Sequence, residues 1–266
     1  MDLGTIKIGI LGFGSITQAT VDGFLRKDAV SPDRIYGYRR NREALDADAA
    51  ARGIHACGSA EELVRESDVV IVGVNPNQVE GALAPVKDAL KNKIILSVVG
   101  GYFFDRYEEI LPAGTAHLTT IPNVPISVGE GITIFEEKHS LSEEQYALIK
   151  ELFERVGVVV TLETGMVELG CAVAGCTPAF AAVMIEAMGD AAVKYGMDRE
   201  TSYRIAGQVL AGTGKMEVLT GQHPGALKDS VTSPGGTTIL GVTELAKRGF
   251  SGDIVSGIDA IMNARD

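Results

Sequence analysis

A chain of 266 residues, 45% hydrophobic and 22% charged, is long enough to bury one large core or two smaller ones. Its formal net charge of −11 argues against a nucleic-acid partner, because phosphate binding needs clustered Lys and Arg side chains. The three cysteines, Cys57, Cys171 and Cys176, contain no CxxC pair, and this predicts a reduced, cytoplasmic protein.

The first part of the chain alternates strand patterns with helix patterns. The segments that predict strands are "TIKIGILGFG", "RIYGY", "DVVIVGV", "KIILSVVGG" and "VVVTLE". Helical spacing is present in "SITQATVDGFLRK", "NREALDADAAARG", "SAEELVRES", "NQVEGALAPVKDAL" and "SEEQYALIKELFERVG". Ser59 stands three residues before Glu62, which is the spacing of a capping box. This alternation predicts βαβ units and a mostly parallel sheet.

The second part of the chain has no strand pattern. "DRETSYRIAGQVLAGTGKMEVL" and "FSGDIVSGIDAIMNA" predict helices, with Asp198 and Ser251 as their N-caps. We therefore predict an α/β Rossmann-type dinucleotide-binding domain at residues 1–163, followed by an all-helical dimerisation and substrate domain at residues 164–266.

The longest apolar run extends from Cys171 to Ile185 and contains Pro178. It is short for a membrane span, so we expect no membrane partner. Because the helix predicted over residues 171–193 is too hydrophobic for an exposed surface, we expect it to be buried in a dimer interface, with the active site shared between subunits.

The junction of the first strand and first helix, "GILGFGSIT", has two glycines where a dinucleotide fold needs them. Glycine lets the backbone turn tightly and approach a pyrophosphate at the helix N-terminus. The third glycine position of the usual GxGxxG pattern holds Thr17 instead. The position of the turn at the start of a βαβ unit favours cofactor binding by Gly12, Phe13, Gly14, Ser15 and Ile16 over a purely steric turn.

The end of the second strand selects the cofactor. Arg39 and Arg40 stand there, and no acidic residue accompanies them, which predicts NADPH, with NADH as the alternative. The competing interpretation is that the two arginines form a solvated edge. Other strand ends are expected to line the same crevice through Val74, Asn75, Pro76, Gly100, Gly101 and Asn123.

The stretch "DSVTSPGGTTILG", residues 229–241, contains a sharp bend at Pro-Gly-Gly that is flanked by two pairs of hydroxyl residues, Thr232-Ser233 and Thr237-Thr238, and followed by the start of a predicted helix. Backbone N–H groups at a helix start form a nest that binds anions. The alternative is an N-cap without a ligand.

Residues 221–250, "GQHPGALKDSVTSPGGTTILGVTELAKRGF", strongly resemble the C-terminal signature of pyrroline-5-carboxylate reductases. The shorter motifs "GFGSI", "SVVGG", "PNVPISVGEG" and "TPAF" extend the resemblance over the whole chain. The resemblance implies reduction of 1-pyrroline-5-carboxylate to L-proline by a homodimer or larger homo-oligomer that uses a nicotinamide cofactor. It also implies roles for individual residues: catalysis by Thr238 at the imine nitrogen, and binding of the imino acid by Ser233, Gly235, Gly236, Thr237 and Thr177.

Three departures from the family pattern leave alternatives open. Asn75 stands where the family usually has Lys, Thr119 where it commonly has Arg, and Ala174 begins a stretch that the family makes more polar. The alternatives are a reductase of a different cyclic imine and a non-catalytic NADP-binding regulator. A β-hydroxyacid dehydrogenase is disfavoured, because no lysine occurs between Arg155 and Lys194.

The histidines predict no metal site, because they are far apart and lack metal-ligand spacing. We expect His223, which precedes Pro224, to cap or pack its turn.

Overall fold

A single eight-stranded sheet organises the first part of the chain in the computed structural model, which describes residues 2–264. The strands in chain order are β1 (Ile8–Leu11), β2 (Ile35–Tyr38), β3 (His55–Ala56), β4 (Val69–Val72), β5 (Ile94–Ser97), β6 (Ala116–Pro122), β7 (Gly131–Glu136) and β8 (Gly157–Leu162). Their order across the sheet is β3-β2-β1-β4-β5-β6-β7-β8. Only the β6–β7 pair is antiparallel among these strands, which confirms the predicted parallel character.

Twelve α-helices are present in the described residues. Those that follow the strands of the sheet are α1 (Ser15–Arg26), α2 (Arg42–Arg52), α3 (Ala60–Glu66), α4 (Val79–Leu83), α5 (Phe104–Ile110) and α6 (Glu143–Glu154). The rest are α7 (Thr164–Cys171), α8 (Thr177–Lys194), α9 (Arg199–Thr220), α10 (Pro224–Ser230), α11 (Thr237–Lys247) and α12 (Phe250–Asn263). No strand follows Leu162 in the described part of the chain, so the predicted fold class, an α/β domain before an all-helical one, is confirmed.

Two compact units divide the chain between Gly175 and Cys176. Helix α7 belongs to the first unit, because its Val167 and Cys171 form a buried cluster with Ile134 of β7. The domain boundary predicted between residues 163 and 164 lies at the start of this helix and stays a prediction.

The core of the first unit lies on both faces of the sheet. One face packs Ile8 and Ile10 of β1 against Phe24 of α1, and the other packs Val70 and Val72 of β4 under the helices of the opposite layer. Strands covered on both faces read as continuous apolar runs, which explains why these segments show no polar alternation. The glycine turn therefore follows a strand whose sheet is packed on both faces.

The helix predicted over "NQVEGALAPVKDAL" is broken in the structure. Helix α4 ends at Leu83, and a 3₁₀ helix continues from Ala84 to Asn92. Pro85 is the physical reason, because proline lacks the N–H that an α-helix interior needs and clashes with the carbonyl one turn before it.

The predicted helix caps have mixed outcomes. Asp198 accepts a hydrogen bond from the Thr201 N–H and is the N-cap of α9, as predicted. Ser251 is not an N-cap: α12 begins at Phe250, and the left-handed Gly249, at φ +84°, links it directly to the preceding helix. The Ser59 box is half formed, because Ser59 accepts from the Glu62 N–H but the Glu62 carboxylate accepts from the Gly58 N–H.

The apolar helix is longer than its sequence pattern indicated. A five-residue π-helical segment, Ala172–Cys176, joins α7 to α8, so that helical structure runs from Thr164 to Lys194. By length and composition this helix could cross a membrane, so the expectation of no membrane partner, which rested on the shorter run Cys171–Ile185, stays a prediction. Pro178 does not end the helix, since it stands in the first turn of α8, where no N–H is required.

Candidate functional site

A cavity of about 610 Å³ opens at the carboxyl ends of β1, β2 and β4. Seven predicted cofactor residues line it: Gly12, Phe13, Gly14, Arg39, Arg40, Val74 and Asn75. The sheet order places β1 between β2 and β4, so three segments distant in sequence converge on one crevice. This is the place where open parallel sheets bind their ligands.

The glycine turn at the end of β1 has a backbone that requires glycine. Gly12 has φ +95°, and a Cβ built on it would lie 2.6 Å from the carbonyl oxygen of Gly73. Gly14 is the N-cap of α1 and provides no capping side chain. The first N–H groups of α1 are therefore available to an anion, and the positive end of the helix dipole favours one.

The two arginines after β2 have different surroundings. Arg39 forms a 2.8 Å ion pair with Asp48 of α2, and its Nη1 donates a 3.0 Å hydrogen bond to the carbonyl oxygen of Phe13. Arg40 is exposed at the cavity, and no carboxylate of the described residues pairs with it. Arg39 thus supports the glycine turn, and Arg40 presents an exposed guanidinium at the cavity, whose contact with a ligand phosphate stays a prediction.

The remaining predicted cofactor residues lie outside the lining of this cavity. Ser15 and Ile16 begin α1, Pro76 begins a 3₁₀ turn after β4, and Gly100 and Gly101 follow β5. Cβ atoms built on Gly100 and Gly101 would meet no atom within 4 Å, so the backbone there is open to a close approach. Their cofactor contacts stay predictions.

Asn123 has a structural arrangement that its sequence motif did not indicate. Its side-chain Nδ2 donates to the carbonyl oxygen of Ala174 at 2.9 Å, and its Oδ1 accepts from the N–H of Ile132 at 3.0 Å. Both ends of the amide are thus engaged, and the residue is only 8% exposed. Asn123 fixes the π-helical segment after α7 to strand β7.

Several residues of the cavity were missed by the sequence analysis. Glu61 of α3 lines it, and hydrogen bonds from its own backbone N–H and from Ser59 lower the pKa of this carboxyl, so that it is ionised at neutral pH. The other missed lining residues are Leu11, Tyr38, Ala60, Gln78, Gly81, Ala82 and Pro85. Asp48 also escaped notice, because only the packing of α2 beside β2 brings its carboxylate to Arg39.

In the second unit, Ser233–Gly236 form a tight turn before α11. The Gly236 N–H donates a 3.0 Å hydrogen bond to the Ser233 carbonyl, and Gly235 has φ +69°. With Pro234 preceding that glycine, the arrangement is a type II turn. The Gly236 N–H is therefore used inside the turn, which leaves the first N–H groups of α11 for an anion.

The hydroxyl groups of this turn lie around the helix start. A Cβ on Gly236 would lie 2.5 Å from Ser233 Oγ, so only glycine leaves room for that hydroxyl. Thr237 and Thr238 occupy the first turn of α11 and are exposed, and Thr177 is the first residue of α8. At the start of α10, His223 accepts from the Gly225 N–H at 3.0 Å, which confirms its predicted capping role.

Two family models match the chain. A model of pyrroline-5-carboxylate reductase dimerisation matches residues 165–266, and one of NADP oxidoreductases described as coenzyme F420-dependent matches residues 7–101. The pyrroline-5-carboxylate reductase of Treponema pallidum is 34% identical, over 97% of this chain and 100% of its own length. The chain belongs to the pyrroline-5-carboxylate reductase family. The reductase of Arabidopsis thaliana, 33% identical over 96% of this chain and 93% of its own length, agrees with this.

Solved structures of the family share the whole fold. The Plasmodium falciparum pyrroline carboxylate reductase with NADP bound has a TM-score of 0.84 at 26% identity, covering 97% of this chain and 96% of its own. A pyrroline-5-carboxylate reductase from Coxiella burnetii has a TM-score of 0.86 at 26% identity, covering 98% of this chain and 97% of its own. The likeness therefore includes both units of the chain.

Proposed function

We propose that this chain reduces 1-pyrroline-5-carboxylate to L-proline with NADPH. The observation that carries the proposal is full-length membership of a family whose curated relatives are named for this reaction. A nicotinamide cofactor supplies the hydride when it is bound. Oxidation of NADPH that depends on 1-pyrroline-5-carboxylate tests the proposal.

The residues of the first unit fit the cofactor. Gly12 and Gly14 keep side chains away from the turn, the start of α1 offers uncapped N–H groups, and Arg40 provides a cation at the cavity. Asn75, which departs from the family pattern, also lines this cavity, whereas Thr119 is buried in β6. Of the three departures, that at Asn75 therefore bears on the cofactor cavity, and all three leave the Ser-Pro-Gly-Gly-Thr-Thr sequence of the second unit intact.

The second unit would hold the imino acid. The N–H groups at the start of α11 bind its carboxylate, and the Thr238 hydroxyl donates to or accepts from the ring nitrogen. The hydroxyl fixes the nitrogen while it gains a proton from water, and such positioning makes a large contribution to rate. A protonated imine is already electrophilic, so no stronger acid is required.

Substitution of Arg40 tests the preference for NADPH. We expect Arg40→Ala to raise the KM for NADPH at least tenfold and to leave the KM for NADH unchanged, because only NADPH has the 2′-phosphate. Arg42→Ala removes an equal charge from a residue that pairs with Asp46 on the surface of α2, and it is the control. Arg39→Ala should weaken both cofactors, because Arg39 supports the Phe13 carbonyl. Equal loss for NADPH and NADH in Arg40→Ala would contradict the assignment.

We also propose that the second unit forms the interface of a homodimer. Helix α8 buries only Gly189 in the single chain, and α11 and α12 bury no residue. Large apolar side chains are exposed on this unit, among them Val183, Ile205, Val209, Leu219, Leu240 and Val255. An apolar surface of this extent calls for a covering partner, and the matching dimerisation model favours a second copy of this chain over a membrane.

Light scattering tests the dimer. The protein is expected to have at least twice the monomer mass of 28.0 kDa, and Val183→Glu should shift it toward the monomer by placing a charge in the apolar surface. Ala147→Glu, at an exposed position of α6 in the first unit, adds the same single negative charge and should leave the mass unaltered. A wild-type monomer at micromolar concentration would contradict the proposal.

We place the protein in the cytoplasm, where thiols stay reduced. Cys57 and Cys171 are buried, and burial raises the pKa of Cys57 to about 11. The Cys57 thiol is therefore protonated and unreactive at neutral pH.

A further inference from the structure

Thr17 occupies the third position of the glycine pattern, where dinucleotide folds usually have glycine for close helix–strand packing. It is fully buried in α1, with 0% of its surface exposed. We propose that Thr17 is a positioning residue that holds the glycine turn in its phosphate-binding shape and thereby sets cofactor affinity. This inference rests on the proposed use of NADPH.

The space for Thr17 comes from the facing strand. Gly73 follows β4, and a Cβ built on it would lie 2.2 Å from Thr17 Cγ2 and 3.2 Å from the Gly12 carbonyl oxygen. Any side chain at position 73 would therefore displace the threonine. The small residue that close helix–strand packing requires is therefore Gly73 at the end of the strand, and the helix has the larger Thr17.

The hydroxyl of Thr17 makes hydrogen bonds that glycine, the usual residue at this position, cannot make. Thr17 Oγ1 lies 2.9 Å from the Gly12 carbonyl oxygen and 3.0 Å from the Gly14 carbonyl oxygen, and it donates its single proton between them. The carbonyl between these two, that of Phe13, accepts from Arg39 Nη1 at 3.0 Å and from Gln18 Nε2 at 3.3 Å. All three consecutive carbonyls of the turn are thus held by side chains.

Because the peptide bond is planar, fixing these carbonyls also fixes the directions of the N–H groups that follow them. In a trans peptide, the C=O of one residue and the N–H of the next point in opposite directions, and the described residues contain no cis peptide bond. Holding the carbonyls of Gly12 and Gly14 at Thr17 directs the N–H groups of Phe13 and Ser15 away from it. N–H groups at a helix start bind a pyrophosphate, and a turn fixed beforehand loses less entropy on binding.

The decisive variant is Thr17→Val, which keeps the shape of the side chain and removes the hydroxyl. Isothermal titration calorimetry with NADP⁺ suits this chain, which has no Trp for fluorescence. We expect Thr17→Val to bind NADP⁺ about tenfold more weakly, the effect of one strong hydrogen bond. Thr17→Ser retains the hydroxyl and should bind within about threefold of wild type, a difference of less than 1 kcal/mol.

Thr20→Val is the matched control. Thr20 lies in the same helix, is equally buried, and donates its hydroxyl to the Ile16 carbonyl oxygen at 2.9 Å, inside the helix. It makes no hydrogen bond to the glycine turn, so its substitution should leave NADP⁺ affinity unchanged. A similar loss in Thr20→Val and Thr17→Val would mean that general helix stability, rather than the turn, sets the affinity, and would overturn the proposal.

A fragment of the cofactor separates the turn from the rest of the cavity. Adenosine 2′-monophosphate lacks the pyrophosphate, so wild type and Thr17→Val should bind it equally. Loss of binding to this fragment in Thr17→Val would overturn the proposal. Wild-type protein that fails to bind NADP⁺ would overturn the proposed function instead, whereas wild type and Thr17→Val that bind NADP⁺ equally would refute the Thr17 inference alone.

A double variant keeps the test valid if Thr17→Val folds poorly. Gly73→Ala alone should weaken NADP⁺ binding, because the added methyl displaces Thr17 Cγ2. Thr17→Ser combined with Gly73→Ala should recover most of the affinity, because serine keeps Oγ and lacks the clashing methyl group. Absence of recovery, with the melting temperature of the double variant at the wild-type value, would contradict the exchange of roles between positions 17 and 73.

Discussion

Substitution of Gly12 by alanine is expected to weaken NADP⁺ binding at least a hundredfold, a loss of about 2.8 kcal/mol. The φ of +95° at this residue is unfavourable for any residue with a Cβ, and that Cβ would lie 2.6 Å from the Gly73 carbonyl oxygen. The turn must shift, and its N–H groups then leave the positions from which they meet a pyrophosphate. Calorimetric titration with NADP⁺ measures the loss.

Gly165→Ala is the control for Gly12→Ala. Gly165 is exposed in α7, and a Cβ built on it would meet no atom within 4 Å. Alanine there should leave NADP⁺ affinity unchanged and preserve the melting temperature. Unaltered affinity in a folded Gly12→Ala variant would mean that the cavity at β1 is not the cofactor site.

The second large effect is expected at Thr238. Thr238→Val retains the shape of the side chain but removes the hydroxyl, so kcat with 1-pyrroline-5-carboxylate should fall at least tenfold, about 1.4 kcal/mol of barrier. NADP⁺ affinity should be unchanged, because the Thr238 hydroxyl is proposed to contact the imine nitrogen and Thr238 is not among the residues that line the cofactor cavity. Thr238→Ser should recover most of the rate by restoring the hydroxyl.

Thr243→Val supplies a matched comparison for Thr238→Val. Thr243 lies further along α11, is exposed, and donates its hydroxyl to the carbonyl oxygen of Ile239 at 2.9 Å. Its substitution should leave kcat unaltered. Equal activity of Thr238→Val and wild type would remove Thr238 from the proposed mechanism.

The sequence predicts those features that depend on local chemistry. A β-rich apolar run ending in glycines is enough to locate β1 and its turn, and Pro234 before Gly235 is enough to predict a turn before α11. Neither feature depends on a contact between residues distant in sequence.

Features that depend on long-range contacts could not be predicted in this way. Thr17 stands where the pattern expects a glycine, and only the fold places Gly73 against it. The ion pair of Arg39 with Asp48 likewise depends on the packing of α2, although the cofactor contact of Arg39 stays a prediction. Asn123 likewise belongs to a recognisable motif, yet its bond to Ala174 exists only because β6 and the π-helical segment meet. The local sequence pattern identifies such residues, but the contacts that they make depend on tertiary packing.

The prediction of a continuous helix through Pro85 is a different kind of error, because the proline that breaks the helix is visible in the sequence. Helical spacing continues through the segment, but proline cannot continue the backbone hydrogen bonds, and 3₁₀ structure replaces the α-helix after Leu83. The strongest local constraint therefore takes precedence over the periodicity of the apolar residues.

The most direct test of the proposed function is NADPH oxidation by the purified protein with 1-pyrroline-5-carboxylate, followed by absorbance, together with identification of the product. We expect one proline to form for each NADPH oxidised, and no oxidation without the imino acid. Tight NADP⁺ binding with no turnover of 1-pyrroline-5-carboxylate would contradict the proposal, and turnover of another cyclic imino acid would then identify a reductase of a different substrate.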